Sequence, residues 1–136
     1  MCVKGVADLY KNMIWTIYDY VEPSGRVPFF EWLMGLSDEA QAWVDARLLQ
    51  MAGMARWSEK WASKYKGTKK LIELRIPFNR VQYRPLGMYA PSWSFVLLAG
   101  AIEKDGKIPR PTIEAAVRRQ EALENGNGHV RRHRIN

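Results

Sequence analysis

Cysteine occurs once in the 136 residues, at Cys2, and histidine only twice, at His129 and His133. A single cysteine excludes a disulfide framework and suits a reducing cytosol. A metal site needs clustered Cys, His or carboxylate ligands. The two histidines have i, i+4 spacing, but they sit among Gly, Asn and Arg at the end of the chain. They read as part of a solvated basic tail, so no metal and no cofactor are expected. Long apolar runs are also scarce. The longest, Phe95 to Ile102, falls far short of the roughly 20 residues that cross a bilayer. The first twelve residues lack the apolar stretch and small-residue cleavage site of a secretory leader. The expectation is a cytoplasmic protein with no membrane partner.

What is present points elsewhere. The length favours one domain, and 47% hydrophobic residues are enough for a core. Six tryptophans need either that core or a flat partner to cover them. The net charge is +7, and it is not spread evenly. Residues 1–55 hold four basic against seven acidic groups, whereas residues 56–84 hold nine basic against two acidic. The tail adds Arg131, Arg132 and Arg134. A concentrated basic block is the footprint expected for a polyanion partner.

The elements follow from pattern. Ile14-Trp15-Thr16-Ile17-Tyr18 is β-branched and aromatic and reads as a strand. Pro28 suits the first turn of a short helix, carrying Phe29, Phe30, Trp32 and Leu33. Ser37 is an N-cap for a second helix, with Asp38 and Glu39 in its first turn. Its apolar stripe includes Trp43, Val44, Leu48 and Met51, and its polar face Gln41, Asp45 and Gln50. A basic, aromatic loop follows. Ile72, Leu74 and Ile76 then alternate with Glu73 and Arg75, and residues 80–84 alternate again, which predicts an antiparallel hairpin. Residues 93–102 read as a buried strand and 112–124 as a final helix, with an Asp105-Gly106 turn between them. The fold class expected is α+β: a small, antiparallel-rich sheet in β-α-α-β-β-β-α order with the helices on one face. Residues 1–12 read as an N-terminal extension, 13–124 as the domain and 125–136 as a flexible basic tail.

Residues two apart on a strand share a face. If Leu74 and Ile76 point to the helices, Arg75, Arg80 and Arg84 point away, rimmed by Lys64, Lys66, Lys69 and Lys70. Guanidinium groups match phosphate oxygens bidentately, and lysines add salt-sensitive affinity. Trp61 and Tyr89 are candidate stacking platforms for bases. Alternation turns Tyr83 inward, and a register shift of one residue turns it outward beside the arginines.

The ordered set of segments resembles the RelE/HigB toxins, most nearly their phage-derived HigB branch. It comprises Ile14–Tyr20, Pro28–Leu33, Lys70–Arg75, Tyr83-Arg84, Phe95–Gly100 and the closing Pro111–Leu123 with Arg118-Arg119. The resemblance spans residues 13 to about 124. It implies the toxin of a type II toxin–antitoxin pair that enters the ribosome and cuts mRNA without a metal. It also implies neutralisation by an antitoxin, often a helix-turn-helix protein. By the same resemblance Arg75 and Arg84 are phosphate-binding arginines and Lys104 belongs to a basic pair. With Tyr83 they form the candidate catalytic set. The chain departs from that branch at Ala99, where histidine is common, and at Ala101 and Glu103. Two alternatives therefore stand beside the endoribonuclease. One is a ParE-like inhibitor of DNA gyrase. The other is a phage or prophage relative that binds RNA or protein without cutting.

Overall fold

The computed structural model describes residues 13–68 and 70–135. The N-terminal extension expected over 1–12, and Lys69, lie outside the described residues. The fold is α+β, with three helices and a seven-stranded mixed sheet. In chain order the elements are β1 (Thr16–Val21), α1 (Pro28–Met34), α2 (Asp38–Ala52), β2 (Ala62–Lys64), β3 (Ile72–Leu74), β4 (Ile76–Phe78), β5 (Val81–Ala90), β6 (Ser94–Glu103), α3 (Arg110–Glu124) and β7 (His129–Arg132). The sheet order is β2-β3-β5-β6-β1-β7, with β4 also on β5. Among the described strands only β1 and β6 pair in parallel.

Local chemistry explains the boundaries. Pro28 opens α1 at a position where a missing N–H costs nothing. Ser37 caps α2, its hydroxyl accepting from the Ala40 N–H at 3.2 Å. Asp105-Gly106 makes the tight turn after β6, both residues at positive φ, closed by mutual backbone bonds of Lys104 and Lys107 at 2.9 Å. The β4–β5 turn is Asn79-Arg80, also at positive φ, and it joins the two halves of the antiparallel hairpin that alternation predicts.

The helices do not share one face of the sheet, and this corrects the expectation. α1 and α2 cover one side through Phe29, Leu33, Val44, Leu48 and Met51, which pack with Ile17, Leu74, Tyr83, Phe95 and Leu97. α3 lies on the other side, where Ala116 packs with Leu86, Leu98, Ala99 and Ala101. Alternation along β5 sends Tyr83 to the first core and Leu86 to the second. A bulge at Leu86/Gly87 lets both cores continue past it. There the carbonyl of Leu98 accepts from Arg119 of α3 at 2.9 Å, and Arg119 also bonds Glu22 at 2.8 Å.

At Gly100 the sheet lies tight against α1. A Cβ placed there would lie 2.1 Å from the indole of Trp32 on α1. Gly100→Ala is therefore expected to lower stability by about 1–3 kcal/mol, the usual cost of overpacking. Chemical denaturation of the variant against wild type checks it.

The tail expected to be flexible instead forms β7, antiparallel to β1, with Val21 opposite His129 and Tyr18 opposite Arg132. Asp45, placed by pattern on the polar face of α2, is buried, and Trp43, placed on the apolar stripe, is 44% exposed and stacks on Phe78. His133 accounts for Asp45. Its ring is fully enclosed, with Nδ1 2.8 Å from Asp19 of β1 and Nε2 2.9 Å from Asp45.

Candidate nucleic-acid interface

β3 and β4 run along β5 in one register, with Ile72 opposite Gly87 and Ile76 opposite Tyr83. That register sets Arg75, the residue between the two short strands, opposite Arg84. Facing residues of an antiparallel pair project to the same side, so both arginines lie on the α3 side of the sheet. α3 begins only at Arg110, after the Asp105-Gly106 turn. Next to that turn a cleft of about 540 Å³ stays open. Its cations are Lys64, Lys66, Arg75 and Lys107, and its carboxylates are Glu73 and Glu103, with Tyr65 and Ile108 completing the wall.

The two arginines differ in state. Arg75 is exposed, its side chain 44% accessible, with one Nη 3.8 Å from Glu73. Arg84 is 8% accessible in its side chain and heavily bonded. Its Nε donates to Glu103 at 3.1 Å and lies 3.3 Å from Glu73. Its Nη atoms donate to the Tyr83 carbonyl and to Gln82 Oε1, both at 3.2 Å. The expectation that Arg84 stands open for phosphate is thereby corrected. It is a buried cation neutralised by two carboxylates. The guanidinium is satisfied by Glu103, Gln82 and the Tyr83 carbonyl, with Glu73 as a second counter-charge that it shares with Arg75.

The remaining candidates divide. Lys64 and Lys66 reach the cleft with Arg75. Tyr83 does not: it is 7% exposed in the core beneath α1, with Trp32 edge-on at 6.3 Å. Lys104 is exposed on the turn but does not line the cleft, whereas Lys107 opposite it does. Arg80 is exposed at the β4–β5 turn and does not line the cleft. Lys70 pairs with Glu124 at the end of α3, 3.2 Å away. Trp61 packs against the α2 core with the Arg47 guanidinium 4.3 Å over its ring. Tyr89 sits toward the other end of β5, beside Trp15, Trp57 and Phe95, where burial raises its phenol pKa. A search against protein-family models and a search of curated proteins both find no match.

Sequence reading missed Lys107 and the roles of Glu73 and Glu103. A signal for Lys107 existed. A two-residue Asp-Gly turn folds position 107 back across from 104, toward the strand end where the cations gather. No comparable signal existed for the carboxylates, because alternation places Glu73 on the face but does not reveal its partner. Among the described residues no group of three or more His, Cys, Asp or Glu is arranged to hold a metal ion, and no helix is long and apolar enough to cross a membrane.

Proposed function

We propose that this chain docks single-stranded RNA by its sugar–phosphate backbone in the cleft, as a toxin of the RelE/HigB type that cuts mRNA on the ribosome. The observation that carries the reading is the convergence of Lys64, Lys66, Arg75 and Lys107 on one open cleft. Cations so placed neutralise phosphates and release counterions. RNA cleavage through the neighbouring 2′-hydroxyl builds negative charge on phosphorus. Preorganised cations that meet that charge lower the barrier. The exposed Arg75 and the three lysines are the groups available for this role. The basic surface suits an antitoxin that covers it with acidic side chains, and a helix-turn-helix protein is the partner the family resemblance suggests.

A second reading, an RNA-binding relative without nuclease activity, draws support from the pairing of Arg84 and the burial of Tyr83. Two of the four groups first considered for catalysis are thus engaged elsewhere.

The test combines binding and cleavage. Changing Lys64, Lys66, Arg75 and Lys107 to Gln together is expected to reduce the slope of log K against log salt by about three for single-stranded RNA, at roughly 0.7 per lost phosphate contact. Affinity near physiological salt falls on the order of a hundredfold or more. Equal binding by the variant and wild type would remove the cleft from the account. In a ribosome-supplemented mRNA assay, wild type cuts and the quadruple variant does not. Binding without any cutting selects the second reading. DNA-damage signalling on expression, with mRNA intact, selects gyrase inhibition instead.

A further inference from the structure

The inner wall of the cleft is carboxylate, although guanidinium lies directly behind it. Glu73 and Glu103 line the cleft, while Arg84 sits behind them with 8% of its side chain accessible. A phosphodiester that enters among the cations reaches these two carboxylates before it reaches the Arg84 guanidinium. We infer that Glu103 is an intramolecular competitor of the RNA phosphate: its carboxylate occupies the Arg84 guanidinium in the free protein and withdraws when a phosphodiester oxygen takes its place. This rests on the reading of the cleft as an RNA site.

Three observations single out Glu103 rather than Glu73. Glu103 is more accessible, 24% of its side chain against 11%. Among the described residues its one ion pair is with Arg84, whereas Glu73 lies near both Arg84 and Arg75. It also ends β6 beside the exposed Lys104–Lys107 turn, where a side chain turns outward without disturbing a packed core. After Glu103 leaves, Arg84 keeps Glu73 and Gln82 as partners, so no buried cation is stranded. Carboxylate and phosphodiester oxygens offer guanidinium the same acceptor chemistry, so the exchange trades like for like. The result is a site whose affinity is held down in the free protein by its own side chain.

Glu103→Gln tests this, with Asp105→Asn as the control. Gln keeps an acceptor for Arg84 and fits the same space. Asp105 lies on the same exposed turn at positive φ, a conformation Asn adopts readily, and its removal makes the same change in charge. Binding of a short single-stranded RNA is measured for wild type and both variants at fixed salt. Expected is about tenfold tighter binding by Glu103→Gln and less than about twofold change by Asp105→Asn. Equal gains from the two variants would reduce the effect to overall charge and overturn the inference, while the cleft reading stands. Weaker binding by Glu103→Gln would make Glu103 a support for the site and overturn it also. If neither wild type nor Glu103→Gln binds RNA, both this inference and the cleft reading fall.

Discussion

Replacing His133 by alanine is expected to destabilise the protein by about 3–5 kcal/mol, the cost of leaving buried charge unpaired. For a domain of this size that is a fall of roughly 10–20 °C in melting temperature. Asp19 is fully buried and Asp45 nearly so, and the His133 ring lies between them. Both ring nitrogens face carboxylate oxygens, so the arrangement calls for the doubly protonated imidazolium. Burial alone lowers the His133 pKa, but the hydrogen bonds and charges of Asp19 and Asp45 outweigh it and raise the value to about 9. Arg131 adds a second cation 3.4 Å from Asp19. The ring ties the last strand to β1 and α2, and the His133 N–H donates to the Ile17 carbonyl at 2.9 Å. Adding Asp45→Asn to His133→Ala should recover part of the loss, because it removes one uncompensated charge.

The same cluster sets a pH dependence of definite sign. The folded-state pKa lies above the usual value of 6.5. Its contribution to stability is therefore complete below about pH 6.5 and is lost as pH rises through about 9. The loss amounts to on the order of 3 kcal/mol. Denaturant unfolding at about pH 6 and about pH 10 should show it in wild type and not in His133→Ala. An equal alkaline loss in both proteins would trace it to other groups.

The second large effect concerns Arg84. Arg84→Ala is expected to cost about 2–4 kcal/mol, because it takes the guanidinium from Glu103 and leaves Glu73 only the exposed Arg75 at 3.8 Å. The lower part of that range reflects the partial exposure of Glu103. Arg84→Lys should recover some of the charge balance but not the bonds to Gln82 and the Tyr83 carbonyl, which need the fork of the guanidinium. Arg75→Ala behaves oppositely. Its side chain is 44% exposed, so stability shifts by less than about 0.5 kcal/mol, while RNA affinity drops. Denaturation curves and RNA binding measured on both variants separate the two roles. A stable Arg84→Ala protein would show that the carboxylates do not depend on it.

Why some of this was legible and some not follows from the range of the interactions. Capping by Ser37, the opening of α1 at Pro28 and the Asp105-Gly106 turn are local, and their chemistry lies within a few residues of sequence. The alternation over 72–76 and 80–84 likewise placed Arg75 and Arg84 on one face, because strand geometry has a period of two. The period says which side a residue takes, not what it meets there. Arg84 meets Glu103 across β5 and β6, and Asp45 meets His133 from 88 positions away. Neither contact leaves a mark on local pattern. The tail misled for a related reason. Gly, Asn and Arg make residues 125–136 look solvated, yet the open edge of β1 offers backbone partners to any segment that reaches it, and the buried aspartates draw His133 inward.

The α+β class, the three helices and the concentration of positive charge between 56 and 84 were decided by the sequence itself, through propensity, capping and composition that act over short distances, whereas the strands at Ala62–Lys64 and His129–Arg132 fall where pattern showed a loop and a tail. Tertiary structure alone decided that α3 crosses to the second face of the sheet, that Lys107 rather than Lys104 joins the cleft, and that Arg84 is clasped by carboxylates rather than free. These depend on which distant segments share a surface, and only burial of the two cores against opposite faces fixes that.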